Sequence, residues 1–338
     1  MRKRYVCLAL IALICLAAAV LLPRETGRKV YAWQGDVAFF EQDDRIGLMN
    51  RRGEALLEPM LTQAGLFDGN ALATVAFPGG CGLLNRQGDF VHHAPGYDFV
   101  QFFSEEYRTY QVCGIGAKGC YYLNATGEIT AEPAWNTESI PMEQLPENTR
   151  RLKNGSLLVQ EGDEFCIRQE DGTLVKELTG YVCIEESRVW NEETAWLMAD
   201  MVDGSWRILT LDGKVQAKPE KPCVRQSAVV GGMVRVSMQE GLGFMDLSGR
   251  IHSDPAWTRV NDFMGGLGTA DIGDQTLVFI APDGRERFRL TGLWRAYLSW
   301  ATQVDGAWYY RVMCTDPQDG NILGTWVNER GELLCPPA

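Results

Sequence analysis

The chain reads as an all-β repeat array of about eight three- to four-stranded units, preceded by one apolar N-terminal segment. Three observations predict this class. Turn glycines recur along most of the chain at near-regular spacing, with Asn or Asp and Pro at fixed offsets around them. Short runs that alternate apolar and polar residues flank each turn. Beyond residue 30, no window sustains the 3.6-residue apolar period of a helix over twelve residues.

The first element is the N-terminal segment. Met1-Arg-Lys-Arg4 is basic, and residues 5–22 form an uncharged, mostly apolar run closed by Pro23 and Arg24. Eighteen residues in a helix rise roughly 27 Å, enough to cross a hydrocarbon core. Residues 1–29 therefore read as a membrane anchor. The alternative is a signal peptide cleaved near Ala19, since Ala17-Ala18-Ala19 supplies small residues after a shorter apolar core. Either way the basic residues stay on the cytoplasmic side and residues 30–338 lie outside it.

The repeat begins directly afterwards. Turn glycines stand at 53, 88, 127, 172, 213, 249, 284 and 331, spaced 35, 39, 45, 41, 36, 35 and 47 residues apart. Three residues before the glycine, five units carry Asn50, Asn85, Asn124, Asp246 and Asn328. An Asn or Asp there accepts a backbone N–H two residues on, and glycine takes the left-handed position that closes the hairpin. Six residues after the glycine come Pro59, Pro133, Pro219 and Pro255, with Pro95 and Pro336 one position off. A proline cannot donate to a ladder, so it ends a strand or marks an edge.

Each unit resolves into a feeder strand and two hairpin arms. The feeders are 36–41, 71–77, 107–112, 156–160, 195–201, 233–238, 268–272 and 307–313. The first arms that follow them are 46–50, 82–85, 120–124, 165–169, 206–210, 243–246, 277–281 and 325–328. The connector from Trp257 to Phe263 offers a fourth strand. A run at 30–34 is placed to pair with the last unit and seal the array. The units cannot cover both of their faces alone, so they must stack, as a closed β-propeller or alternatively as an open β-solenoid.

Leu242-Gly243-Phe244-Met245-Asp246 through Pro255-Ala-Trp257 and Phe263-Met-Gly-Gly resembles the bacterial WG repeat. So do Ile46-Gly47-Leu48-Met49-Asn50 through Pro59 with Phe67-Asp-Gly69, and Cys81-Gly82-Leu-Leu-Asn85 with Pro95-Gly-Tyr97-Asp98. The resemblance spans roughly residues 35–338 in degenerate copies. The pattern's glycine survives as Gly47, Gly82 and Gly243, and its Trp only as Trp206. It implies a binding or scaffolding role.

Residues 30–338 hold 26 basic against 43 acidic residues, a net charge of −17. No basic face is available for nucleic acid. The histidines are few. His92 and His93 are adjacent on a strand and point to opposite faces, and His252 reads as a surface strand residue. Asp316, Asp319 and Asn321 lack calcium-loop spacing and read as an ordinary acidic turn. No phosphate loop, catalytic motif, metal site or cofactor site is expected, and no catalytic residue. Packing between units accounts for most of the ten tryptophans. Of the eight cysteines beyond the N-terminal segment, Cys113 and Cys120 are the pair best placed for a disulfide, flanking one short loop; most of the others read as small buried strand residues. The expected function is thus a membrane-tethered, extracytoplasmic binding or scaffolding protein for a protein or glycan of the cell envelope. The alternative is an exported carbohydrate-active enzyme using hairpin carboxylates such as Asp163, Asp203 and Asp274, whose simpler role is turn capping.

Overall fold

Turn chemistry builds the units as the sequence requires. The computed structural model describes residues 28–104, 109–114, 119–131, 146, 148–187 and 194–337. The N-terminal run at 5–22, the cleavage residues Ala17 to Ala19, the start of one feeder at Tyr107, and Pro133 lie outside these. All eight turn glycines have φ between 79° and 90°, where only glycine is unstrained. Asn50, Asn85, Asn124, Asp246 and Asn328 each accept through Oδ1 the backbone N–H groups two and four residues on. The three units lacking that residue substitute. Asp171 and Asp283 cap Thr173 and Arg285 from inside the turn, and the Thr210 hydroxyl accepts from Lys214 N–H.

The described residues form seven four-stranded antiparallel sheets and one three-stranded sheet, all simple meanders. They are consecutive units at 29–61, 63–95, 99–130, 149–178, 181–217, 224–253, 259–291 and 297–328. Every feeder and first arm read from the sequence is present as the second and third strand of its unit. The difference lies before the feeder. The connector at Trp257–Phe263 is not the last strand of its own unit. It overlaps Arg259–Met264, the first strand of the next unit, paired with the feeder Leu267–Asp271. Burial drives this placement, because Val260 and Phe263 close against Phe244 of the preceding sheet. Pro59 sits within Ala55–Leu61, the edge strand of the first unit, where its missing N–H costs no ladder bond.

Facing sheets bury their apolar side chains against one another. Continuous clusters join units 1 and 2, 2 and 3, 4 and 5, 5 and 6, 6 and 7, and 7 and 8. Backbone contacts between neighbours concentrate on first strands. Those at Phe99–Ser104, Arg259–Met264 and Tyr297–Val304 each touch the two middle strands or the feeder of the unit before. Units therefore lie closest at their first strands, which form the inner rim of a propeller-like array.

The two ends of the array meet. Residues 29–34 run along the feeder Val37–Gln42, and Ala32 N–H donates to Leu333 O at 2.8 Å. Leu334 N–H in turn reaches Trp326 O in the last unit. Arg86 of unit 2 pairs with Asp36 of unit 1 and Asp305 of unit 8, and donates to Gln34 O at 2.9 Å. The run at 30–34 thus does reach the last unit. Cys113 and Cys120 are directly paired across two strands and form a disulfide, Cα–Cα 4.3 Å. Among the described residues, no helix is long and apolar enough to cross a membrane.

Candidate functional site

The polar groups that the sequence offered for chemistry are tied into strands and turns. His93 stacks on Phe77 at 4.5 Å inside its own unit, while His92 faces unit 3 and bonds Gly127 O at 3.0 Å and the Tyr121 hydroxyl at 2.7 Å. The opposite-face reading of this pair holds. Burial lowers the His92 pKa, only partly offset by the Gly127 carbonyl. His252 is not a surface residue as expected. Its side chain is 9% exposed, lies against Gly284 of the next unit and hydrogen-bonds Asp246, 3.2 Å away. Burial works against the charge of Asp246, but its bonds to Ser248, His252 and Arg250 prevail and lower its pKa.

The hairpin carboxylates sit in separate second-to-third-strand turns of units 4, 5 and 7. Asp203 is occupied by Ser205, whose N–H and hydroxyl both donate to it, and Asp274 sits at φ 48° in its turn. Asp316 accepts from Gln318 N–H, and Asp319 from both the N–H and side-chain amide of Asn321. That loop is an acidic turn held by its own bonds. Cys81, Cys166 and Cys314 are buried strand cysteines, as expected, Cys335 is buried beyond the last strand, and the Cys81 thiol is pushed up to about 11 by burial. An open cavity of about 420 Å³ between units 4 and 5 has Lys153 as its one titratable lining residue.

The inner rim offers a different kind of surface. Along it Arg225 pairs with Asp200 at 2.9 Å and with Glu185 at 3.7 Å across units 5 and 6. Arg235 pairs with Asp262 at 2.6 Å across units 6 and 7, and Arg259 donates to Ala296 O at 2.7 Å next to unit 8. These ion pairs tie the first strand of one unit to the first or second strand of its neighbour. On the first strands of units 1, 3, 5, 6 and 8, large apolar side chains remain exposed: Val30, Phe99, Val182, Val224 and Trp300. Scattered exposed apolar residues are ordinary, and the outer last strands carry some too, at Met60, Ile129, Leu174 and Val215; on first strands they recur in five of the eight units. Such a rim can hold a ligand by apolar contact and orient it by charge. Sequence reasoning missed it because first strands were read as connectors. The available signal was the short alternation in Arg259-Val-Asn and Tyr297-Leu-Ser-Trp.

No protein-family model and no curated protein matches the chain. Among solved structures, a eukaryotic initiation factor is similar with a TM-score of 0.38 at 11% identity, covering 90% of this chain and 96% of that one. BamB from Moraxella catarrhalis gives 0.31 at 10% identity, covering 89% and 94%. The dihydro-heme d1 dehydrogenase NirN gives 0.30 at 12% identity, covering 91% and 75%. Likeness of this degree implies nothing about function.

Proposed function

We propose that this chain is a binding or scaffolding module without catalysis of its own, closed as a β-propeller, tethered to the membrane by residues 5–22 and exposed on the extracytoplasmic side. The observation that carries the binding role is the inner rim, where five units expose large apolar side chains on their first strands and Arg–carboxylate pairs link units 5, 6 and 7. The meeting of Ala32 with Leu333 supports a closed ring over an open solenoid. Only residues 23–27 separate the apolar run from Arg28, so a tether would be short. The Cys113–Cys120 geometry supports an oxidising compartment. The WG-repeat resemblance agrees with a binding role, by analogy alone.

The test has two arms. Full-length chain is incubated with purified envelope glycans and envelope proteins, and both retained ligand and product formation are measured. Saturable binding with unchanged ligand is expected. Hydrolysis of a glycan that disappears in D163N, D203N or D274N would replace this reading by an enzymatic one. External protease on intact cells should degrade residues 30–338 and leave the N-terminal segment in the membrane fraction. Full protection would refute the placement.

A further inference from the structure

The two faces of unit 8 differ. Its strands are Tyr297–Val304, Ala307–Thr315 and Ile322–Asn328. One face carries Leu298, Tyr310, Val312 and Val327, all buried against unit 7. Residues paired across a sheet share a face, and on the other face Trp300 is paired with Arg311 and Arg311 with Trp326. Leu66, Leu334 and Ala32 cover one end of that face, around Val304 and Tyr309, and Trp326 borders this cover. The other end is open, with Trp300 50% exposed, Arg311 exposed and Trp326 half-buried.

Arg311 differs from the rim arginines. The guanidiniums of Arg86, Arg225, Arg235 and Arg259 are all paired, whereas that of Arg311 has no hydrogen bond or ion pair among the described residues. An unpaired guanidinium between two indoles marks a place for a single anionic group.

We propose that Trp300, Arg311 and Trp326 form a binding site for an oligosaccharide that carries a carboxylate. This inference rests on the binding-module reading and names its ligand class and place. Indole faces present a flat π-surface to the C–H face of a sugar ring, and a guanidinium fork matches a carboxylate in a bidentate pair. The two tryptophans stand two strand spacings apart, about 9.5 Å, with Arg311 between them. That order suits two linked sugars with an acid group at their junction. A nucleic acid, charged at every residue, is opposed by the acidic domain. An extended peptide added to a sheet would bind main chain at an edge, whereas these side chains stand on a face.

The test uses the full chain in detergent micelles, titrated with a hyaluronan hexasaccharide, with the same hexasaccharide after reduction of its carboxyl groups, and with a proline-rich peptide. Binding is followed by tryptophan fluorescence and calorimetry. The native hexasaccharide should bind about tenfold or more tightly than its reduced form. R311Q should abolish that difference, R311K should retain only part of it, and W300A should weaken both sugars. Thermal melts of the variants should match the parent, since both side chains are exposed. Equal binding of the reduced sugar, unaltered preference in R311Q, binding of the peptide alone, or no sugar binding would each overturn the proposal. If R311Q and W300A still retain the partner captured from envelope fractions, the site falls while the binding-module reading stands.

Discussion

The interface between units 7 and 8 and the seam where unit 8 meets units 1 and 2 are made of similar strands and reach opposite results. At the first, Phe279 is fully buried, stacks on Phe288 at 4.3 Å and meets Tyr310 edge-on. At the second, the in-register row Trp300, Arg311 and Trp326 is half open. The lesson is that a repeat buries its faces only as far as its neighbour reaches: unit 7 packs broadly on unit 8, whereas the far face of unit 8 is covered, among the described residues, by Leu66, Leu334 and Ala32 alone. Unit 8 has three strands, and the short stretch at 333–335 bridges it to unit 1. The largest effect should therefore come from the filled interface. F279A should cost about 3–5 kcal/mol through lost burial and a cavity, and W300A should stay within about 0.5 kcal/mol. Denaturant unfolding of both variants checks this, and equal losses would mean that the seam is as well packed as the 7–8 interface.

A second contrast runs through the turn glycines, all of which share a left-handed backbone. Six of them also nest against the last strand of the unit before, or the residues just after it. Gly88 meets Leu56 O, Gly249 meets Lys218 O and Gly284 meets His252, with Gly127, Gly213 and Gly331 placed alike. Around Gly53 and Gly172 nothing lies within 4 Å of an added Cβ. Period and glycine thus have two causes, a turn that needs positive φ and a neighbour that needs room. G249A should cost about 3 kcal/mol, combining backbone strain with a clash against backbone that cannot swing aside. G53A should cost about 1 kcal/mol, from strain alone. Equal Tm losses in the two variants would show that nesting contributes nothing and that the glycines serve only their own hairpins.

These contrasts mark what was legible in the sequence. The hairpins were, because their chemistry is local: Asn85 reaches only to Gln87 and Asp89, and Gly88 closes the turn between them. Edge prolines were legible for the same reason. First strands were not, because Arg259–Met264 owes its place to Phe244 in another unit and looks like a connector alone. His252 was misplaced likewise, since its burial comes from Gly284, 32 residues on and in the next unit. The rim and the open face of unit 8 depend on which strands meet in space, and no short pattern records that.

The smallest effect concerns two histidines in matching places. His92 and His252 both lie on last strands, against the turn glycine of the following unit, Gly127 and Gly284. His252 has Asp246 beside it, whereas His92 has only a carbonyl, a phenol and the neighbouring His93. Burial lowers the His92 pKa below its ordinary value. Above pH about 6.5 the ring is neutral in both the folded and unfolded chain, and its contribution is intact. As pH falls below that value the unfolded chain takes up a proton that the folded interface resists, so stability declines toward the lowered folded pKa. The 2–3 interface should therefore loosen as pH falls from neutral through about 6.5. Hydrogen exchange of strands Phe90–Pro95 and Cys120–Leu123 across that range should report faster opening in the parent. H92Q, which keeps a polar group but cannot titrate, should flatten the profile, and H252Q should leave it in place. A profile unchanged by H92Q would assign the acid sensitivity to another group.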